Sequence, residues 1–363
     1  MRLQPVLTSP IPLTILSGFL GAGKTTLLNR ILNGDHGIRI AVLVNDFGAI
    51  NIDAQLVVGV EGGQMINLAN GCICCTIRGD LLRETLNLVE RPDPPEYILV
   101  ETSGVSDPVS VAQTFQLPEL RDKIHLDGII TVMDAEQFGH LEGKNAYLAY
   151  EQLTVADIVV INKIDLVTPE ALQRLRREWL YPTARILEAK YGDVPLELLL
   201  GVGHYSPERI AARKAHDVHV HEQGDQPEGA HEPPDHPDHA DHSLVFESWH
   251  WQCSEPLSLK ALQKATKGLP PTVFRAKGIL WLEDMPDQQA ILHLVGTRVT
   301  LTTGPKWGDQ KPGSQLVIIG TPQGFKAEEL TARFEKCRAS HQSRSIADLV
   351  LGSALTWFRG KDK

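Results

Sequence analysis

The chain lacks any run of about 18 consecutive apolar residues, so no membrane-spanning helix is expected. Residues 1–18 also lack the charged start, long apolar centre and small-residue cleavage site of a secretory leader. Basic residues are in deficit, with 35 Lys and Arg against 45 Asp and Glu and a formal charge of −10. No basic stripe offsets that deficit, which argues against a partner bound through a nucleic-acid backbone. Cysteines number five, and three of them crowd into Cys72-Ile73-Cys74-Cys75. Neighbouring cysteines bridge poorly, so a disulfide framework is disfavoured and a reduced, cytoplasmic setting is expected.

What is present is length and alternation. At 363 residues the chain exceeds one minimal core and implies two domains. Up to residue 212, β-branched runs at 13–17, 39–45, 97–101, 128–134 and 158–162 alternate with helical patterns at 24–32, 77–90, 107–115, 146–155 and 169–179. Such alternation predicts an α/β fold with a doubly wound, mainly parallel sheet, whose ligands sit at the carboxyl ends of the strands. Residues 213–243 form a His-rich stretch expected to be a flexible linker. It holds seven of the fourteen histidines between His216 and His242, with almost no large apolar side chain. Residues 244–363 predict a smaller α+β domain with an antiparallel sheet. Its strands are expected at 245–251, 272–282, 290–295, 298–302 and 315–320, its helices at 257–266 and 327–334, and a terminal helix at 346–358.

Between the first strand and the first helix, Gly18-Phe19-Leu20-Gly21-Ala22-Gly23-Lys24-Thr25 satisfies the phosphate-loop pattern without a mismatch. Its glycines let backbone N–H groups turn inward, Lys24 can reach β- and γ-phosphates, and Thr25 can ligate Mg²⁺. Thr26 continues the helix start, whose dipole favours an anion. The strand 97–101 ends in Glu101 and is followed by Thr102-Ser103-Gly104, the place for a magnesium-shell or water-orienting acid and a γ-phosphate-sensing glycine. Asn162-Lys163-Ile164-Asp165 follows another strand, and a carboxylate there accepts from the guanine ring N–H and amine where adenine leaves it unpaired. GTP, with GDP as product, is therefore the expected nucleotide. Asp46 and Asp53 lie where a switch segment would order around γ-phosphate and Mg²⁺; the bland alternative is two solvated loop acids.

Three sulfurs within four residues suit Zn²⁺ or a similar transition metal, with a fourth position for another ligand. Cys72, Cys74 and Cys75 are read as lying in a loop before the helix at 77–90. The Cys72/Cys75 spacing also fits thiol–disulfide chemistry, and chance burial is a third option. The histidines of the linker read as low-affinity metal ligands or as a solvated spacer, while Cys253 and Cys337 stand alone and read as structural.

Taken with the stretches 18–32, 45–48, 70–75, 101–108, 162–165 and 274–280, the chain resembles the CobW family, a metal-handling branch of the P-loop GTPases related to the urease and hydrogenase nickel-insertion GTPases. The resemblance implies a slow, Mg²⁺-dependent GTPase that carries a metal at Cys72, Cys74 and Cys75 to a client metalloenzyme. Zinc is the commonest assignment, cobalt for cobalamin biosynthesis the best-known exception, and nickel a further option. A GTP-modulated metal buffer or sensor without a client is the alternative. Self-association on metal or nucleotide binding is left open by it, and no nucleic-acid or membrane partner is implied. Two positions depart from the family pattern: Asp46 stands where Glu is usual and Ser103 where Thr is usual.

Overall fold

The computed structural model describes residues 10–34, 38–45, 64–67, 74–200 and 246–341; the side chains of residues 45, 64–67 and 74–78 lie outside that description. The alternating apolar runs build a seven-stranded sheet in the order β3-β2-β4-β1-β5-β6-β7. Its strands are β1 Ile11–Ser17, β2 Ile40–Asn45, β3 Gln64–Asn67, β4 Tyr97–Thr102, β5 Ile124–Asp134, β6 Ile158–Asn162 and β7 Ile186–Glu188. Every pairing in it is parallel, as expected where crossovers are helical. The crossovers include α1 Lys24–Asn33, α2 Cys74–Val89, α3 Pro108–Thr114, α4 Gly143–Thr154, α5 Pro169–Trp179 and the short α6 Leu196–Leu199.

Strand residues alternate between two apolar layers. Leu16, Val42, Leu99 and Val132 pack with Leu27, Leu28 and Ile31 of α1 on one face. Leu13, Ile15, Leu43 and Val100 pack with Leu81 and Leu88 of α2 on the other. Local chemistry sets the helix starts. Asp107 accepts from the Val109 and Ser110 N–H groups ahead of Pro108, and Thr168 caps α5 ahead of Pro169.

The second unit is a five-stranded antiparallel sheet in the order β11-β10-β9-β12-β8, from β8 Glu247–Cys253, β9 Val273–Leu282, β10 Met285–Val295, β11 Arg298–Lys306 and β12 Ser314–Gly320. Helices α7 Leu259–Lys267 and α8 Ala327–Glu335 cover one face of it. Its opposite face contributes Phe274, Val295, Val317 and Ile319 to the same apolar layer as α1, so the two sheets share a core.

Several expectations are corrected here. The helix expected at 77–90 begins at Cys74, so Cys74 and Cys75 belong to its first turn and not to a loop. Cysteine is a poor helix former, but propensity is a weak prior that context overrides. β3, β7 and α6 were not expected, because three- and four-residue elements carry no readable period. The linker 213–243, Asp46, Asp53, Cys72 and the terminal helix expected at 346–358 lie outside the described residues.

Candidate nucleotide site

The phosphate loop joins β1 to α1 at the centre of the parallel sheet, flanked by β4 and β5. Two of its glycines are required by geometry. Gly18 has φ +137°, and a Cβ there would come within 2.2 Å of the Val132 carbonyl oxygen on β5. Gly23 has φ +101°, and a Cβ there would come within 2.3 Å of Asn162 Nδ2. Gly23 is also the N-cap of α1 and supplies no side-chain acceptor, so no side chain caps this helix start. Gly21 and Ala22 complete the turn, closed by the Ala22 N–H donating to the Phe19 carbonyl at 3.2 Å. Thr26 is exposed at the helix start.

Lys24 is 8% exposed and its Nζ donates to the Phe19 carbonyl at 3.3 Å, so the ammonium folds over its own loop. Thr25 Oγ1 donates to Glu101 Oε1 at 2.8 Å, which joins the start of α1 to the end of β4. Glu101 is 2% exposed. A buried carboxylate beside a hydroxyl is a hard-oxygen donor set, and its chemistry fits Mg²⁺. Beyond it, Gly104 sits against the loop: a Cβ there would lie 2.5 Å from the Leu20 nitrogen.

Asn162 ends β6 and is 2% exposed. Its Nδ2 donates to the Ala22 carbonyl at 3.0 Å, and its Oδ1 accepts from the Gly192 N–H at 2.9 Å. Lys163 is held at φ +61°, and its Nζ donates to Asp134 Oδ2 at 2.6 Å. Asp165 stands exposed in the short helical turn Ile164–Leu166. The structure thus gathers the phosphate loop, Thr25, Glu101, Gly104, Asn162, Lys163 and Asp165 at the carboxyl edge of one sheet.

Two participants escaped sequence reasoning. Asp134 ends β5; its Oδ1 accepts from the Glu136 and Gln137 N–H groups at 2.9 and 3.1 Å while Oδ2 receives Lys163. An apolar strand ending in a carboxylate was its legible signal, the same one that singled out Glu101. Gln152, in the last turn of α4, left no such signal.

Among the described residues no three His, Cys, Asp or Glu side chains form a metal cluster, and no helix is long and apolar enough to cross a membrane.

A glycine-rich strand-to-helix loop with a paired Thr and Glu and an adjoining Asn-Lys-x-Asp tetrad defines a P-loop nucleotide-binding protein of the GTPase kind. Residues 12–185 match the model of the CobW/HypB/UreG nucleotide-binding domain, and residues 246–338 match that of the cobalamin synthesis protein cobW C-terminal domain. The chain belongs to the CobW family. It is 34% identical over 346 residues to the zinc chaperone CobW of Pseudomonas aeruginosa, covering 85% of this chain and 87% of that one. It is 31% identical over 341 residues to the zinc chaperone YjiA of Escherichia coli, covering 91% and 99%. The zinc-regulated GTPase metalloprotein activator 1 of Dictyostelium discoideum is 30% identical over 346 residues, covering 83% and 70%.

Proposed function

We propose that the chain is a GTP-hydrolysing metallochaperone that binds a transition metal, zinc first among them, at Cys72, Cys74 and Cys75 and passes it to a client metalloprotein. The observation that carries the nucleotide half is the two-sided amide of Asn162, bonded at once to Ala22 of the phosphate loop and to Gly192. Through it the tetrad and the loop act as one site, with Asp165 accepting from the guanine edge and Lys163 steadied by Asp134.

In this reading the backbone from Gly18 to Thr26 and the Lys24 ammonium bind the phosphates. Thr25 and Glu101 would hold Mg²⁺, which would supply charge neutralisation at the phosphates. Gly104 meets the γ-phosphate. Asp46 and Asp53 belong to a switch segment, with Asp46 orienting the attacking water and Asp53 in the Mg²⁺ shell. Zinc is cargo, and names of relatives as zinc chaperones support it.

The test is GTP turnover by metal-free protein against added Zn²⁺, Co²⁺ and Ni²⁺, beside a Cys72→Ala/Cys74→Ala/Cys75→Ala variant. One metal altering turnover in the wild type alone supports the coupled chaperone. Turnover blind to every metal leaves a GTPase without the coupling.

A further inference from the structure

Gln152 is an amide with 0% exposure in the last turn of α4. A buried amide is costly unless its hydrogen bonds are made, and a Leu or Met would fill the same space more cheaply. Its Nε2 donates to the Gly104 carbonyl at 3.1 Å and to the Ser106 carbonyl at 3.0 Å. Both acceptors belong to the turn that leaves β4 just after Glu101. The backbone of Gln152 is itself tied to the sheet, because Thr131 Oγ1 on β5 donates to its carbonyl at 2.9 Å. One residue therefore bridges β5 and the turn 103–106.

The turn has two further anchors. Thr102 Oγ1 donates to the Leu16 carbonyl on β1 at 3.3 Å, and the Ser106 N–H closes on the Ser103 carbonyl at 3.0 Å. Neither sets the direction of the Gly104–Val105 peptide; Gln152 does. In a trans peptide the N–H points opposite to the C=O. Holding the Gly104 carbonyl toward α4 turns the Val105 N–H the other way, away from α4. Gly104 meanwhile abuts Leu20 of the phosphate loop.

This buried network is not saturated. Gln152 Oε1 and the hydroxyls of Ser106 and Ser17 have no hydrogen-bond partner among the described residues. A partly satisfied network leaves room for a second arrangement of the same groups.

Resting on the GTPase reading above, we propose that Gln152 is a positioning residue for GTP hydrolysis: it orients the Gly104–Val105 peptide beside the phosphate loop and makes α4 the element that senses or sets that orientation. It touches no nucleotide atom in this scheme. Its effect passes through the turn, so it should bear on the γ-phosphate and spare GDP.

The experiment uses the full chain with Gln152→Met, which keeps length and volume but removes both donors, and Gln152→Glu. Steady-state kcat and KM for GTP are measured with the affinities for GDP and a non-hydrolysable GTP analogue, and with the thermal midpoint. For Gln152→Met, kcat is expected to fall about tenfold or more, with weaker analogue binding and GDP affinity unchanged. In Gln152→Glu a carboxylate faces two carbonyls at neutral pH, and protonation restores one donor; its kcat relative to wild type should rise as pH falls. Wild-type turnover by Gln152→Met overturns the proposal. So does a parallel loss of GDP affinity, analogue affinity and thermal stability, which would mark a merely structural amide. Wild-type protein that binds GTP no better than ATP instead overturns the GTPase reading, and the proposal with it.

Discussion

Asn162 and Gly23 are separated by 139 residues of chain, yet the Asn162 amide nitrogen occupies the space a Gly23 side chain would need, 2.3 Å from an ideal Cβ. Gly23→Ala must therefore push Asn162 off Ala22 and strain a backbone at φ +101°. The expected outcome is loss of GTP affinity by about tenfold or more with a lowered melting temperature, read by nucleotide titration and thermal unfolding. Asn162→Ala should reproduce the stability loss, because it leaves the Ala22 carbonyl and Gly192 N–H unpaired at about 1–3 kcal/mol each.

Asp165 offers the opposite case. It is exposed, so Asp165→Asn should leave the melting temperature unchanged. In the proposed site its effect belongs to base recognition: the new amide has one acceptor oxygen and cannot accept from both the guanine N–H and amine, but its NH₂ can donate to the second carbonyl of xanthine. GTP affinity should drop about a hundredfold and xanthosine triphosphate should gain. A variant that keeps its GTP preference in a competition assay would remove Asp165 from the base site.

The two sheets are joined by a buried ion pair. Arg275 on β9 is 1% exposed, and its Nη1 donates to Asp127 Oδ2 on β5 at 2.6 Å while Nε donates to the Leu198 carbonyl at 2.9 Å. Tyr97 donates to the same carboxylate oxygen at 2.7 Å. Burial alone would raise the Asp127 pKa, but Arg275 and Tyr97 together hold it below the usual carboxylate range. Arg275→Met should cost about 3–5 kcal/mol by stranding that charge. Denaturant unfolding of the single variant against Arg275→Met/Asp127→Asn checks it: the double variant should recover part of the loss.

A second pair crosses the same boundary. The rings of His125 on β5 and His293 on β10 have centroids 5.0 Å apart. Burial, then Lys277 and His125, lowers the His293 pKa from 6.5 to about 3, while burial also lowers that of His125, which faces Asp127, Lys277 and Arg298. The folded state keeps His293 neutral and the unfolded chain protonates it near pH 6.5. Its stabilising share is full above that pH and is lost as pH falls toward 3. The Asp127 share is lost only lower, below an ordinary value of 3.8. His293→Gln should flatten the fall of unfolding free energy between pH 6.5 and about 3.

Much of this was legible from the residues alone. The phosphate loop, Glu101 at a strand end, the Asn-Lys-x-Asp tetrad and the division into a parallel and an antiparallel sheet all rest on short-range spacing and period. That information is local, so reading along the chain recovers it. Even the strand β6 Ile158–Asn162 and the helix α5 Pro169–Trp179 fall where the spacing of the residues puts them.

What only the tertiary structure decided is who meets whom. Nothing in the sequence says that Asn162 bonds Ala22, that Asp134 steadies Lys163, that Gln152 grips the carbonyls of Gly104 and Ser106, or that Arg275 reaches across to Asp127. Those partners lie 29 to 148 residues apart. A buried polar side chain must find a partner, but which one depends on how the strands are ordered and which faces their helices cover. The residues determine that a nucleotide site exists; the packing of β5, α4 and the second sheet around it determines which side chains hold it in shape.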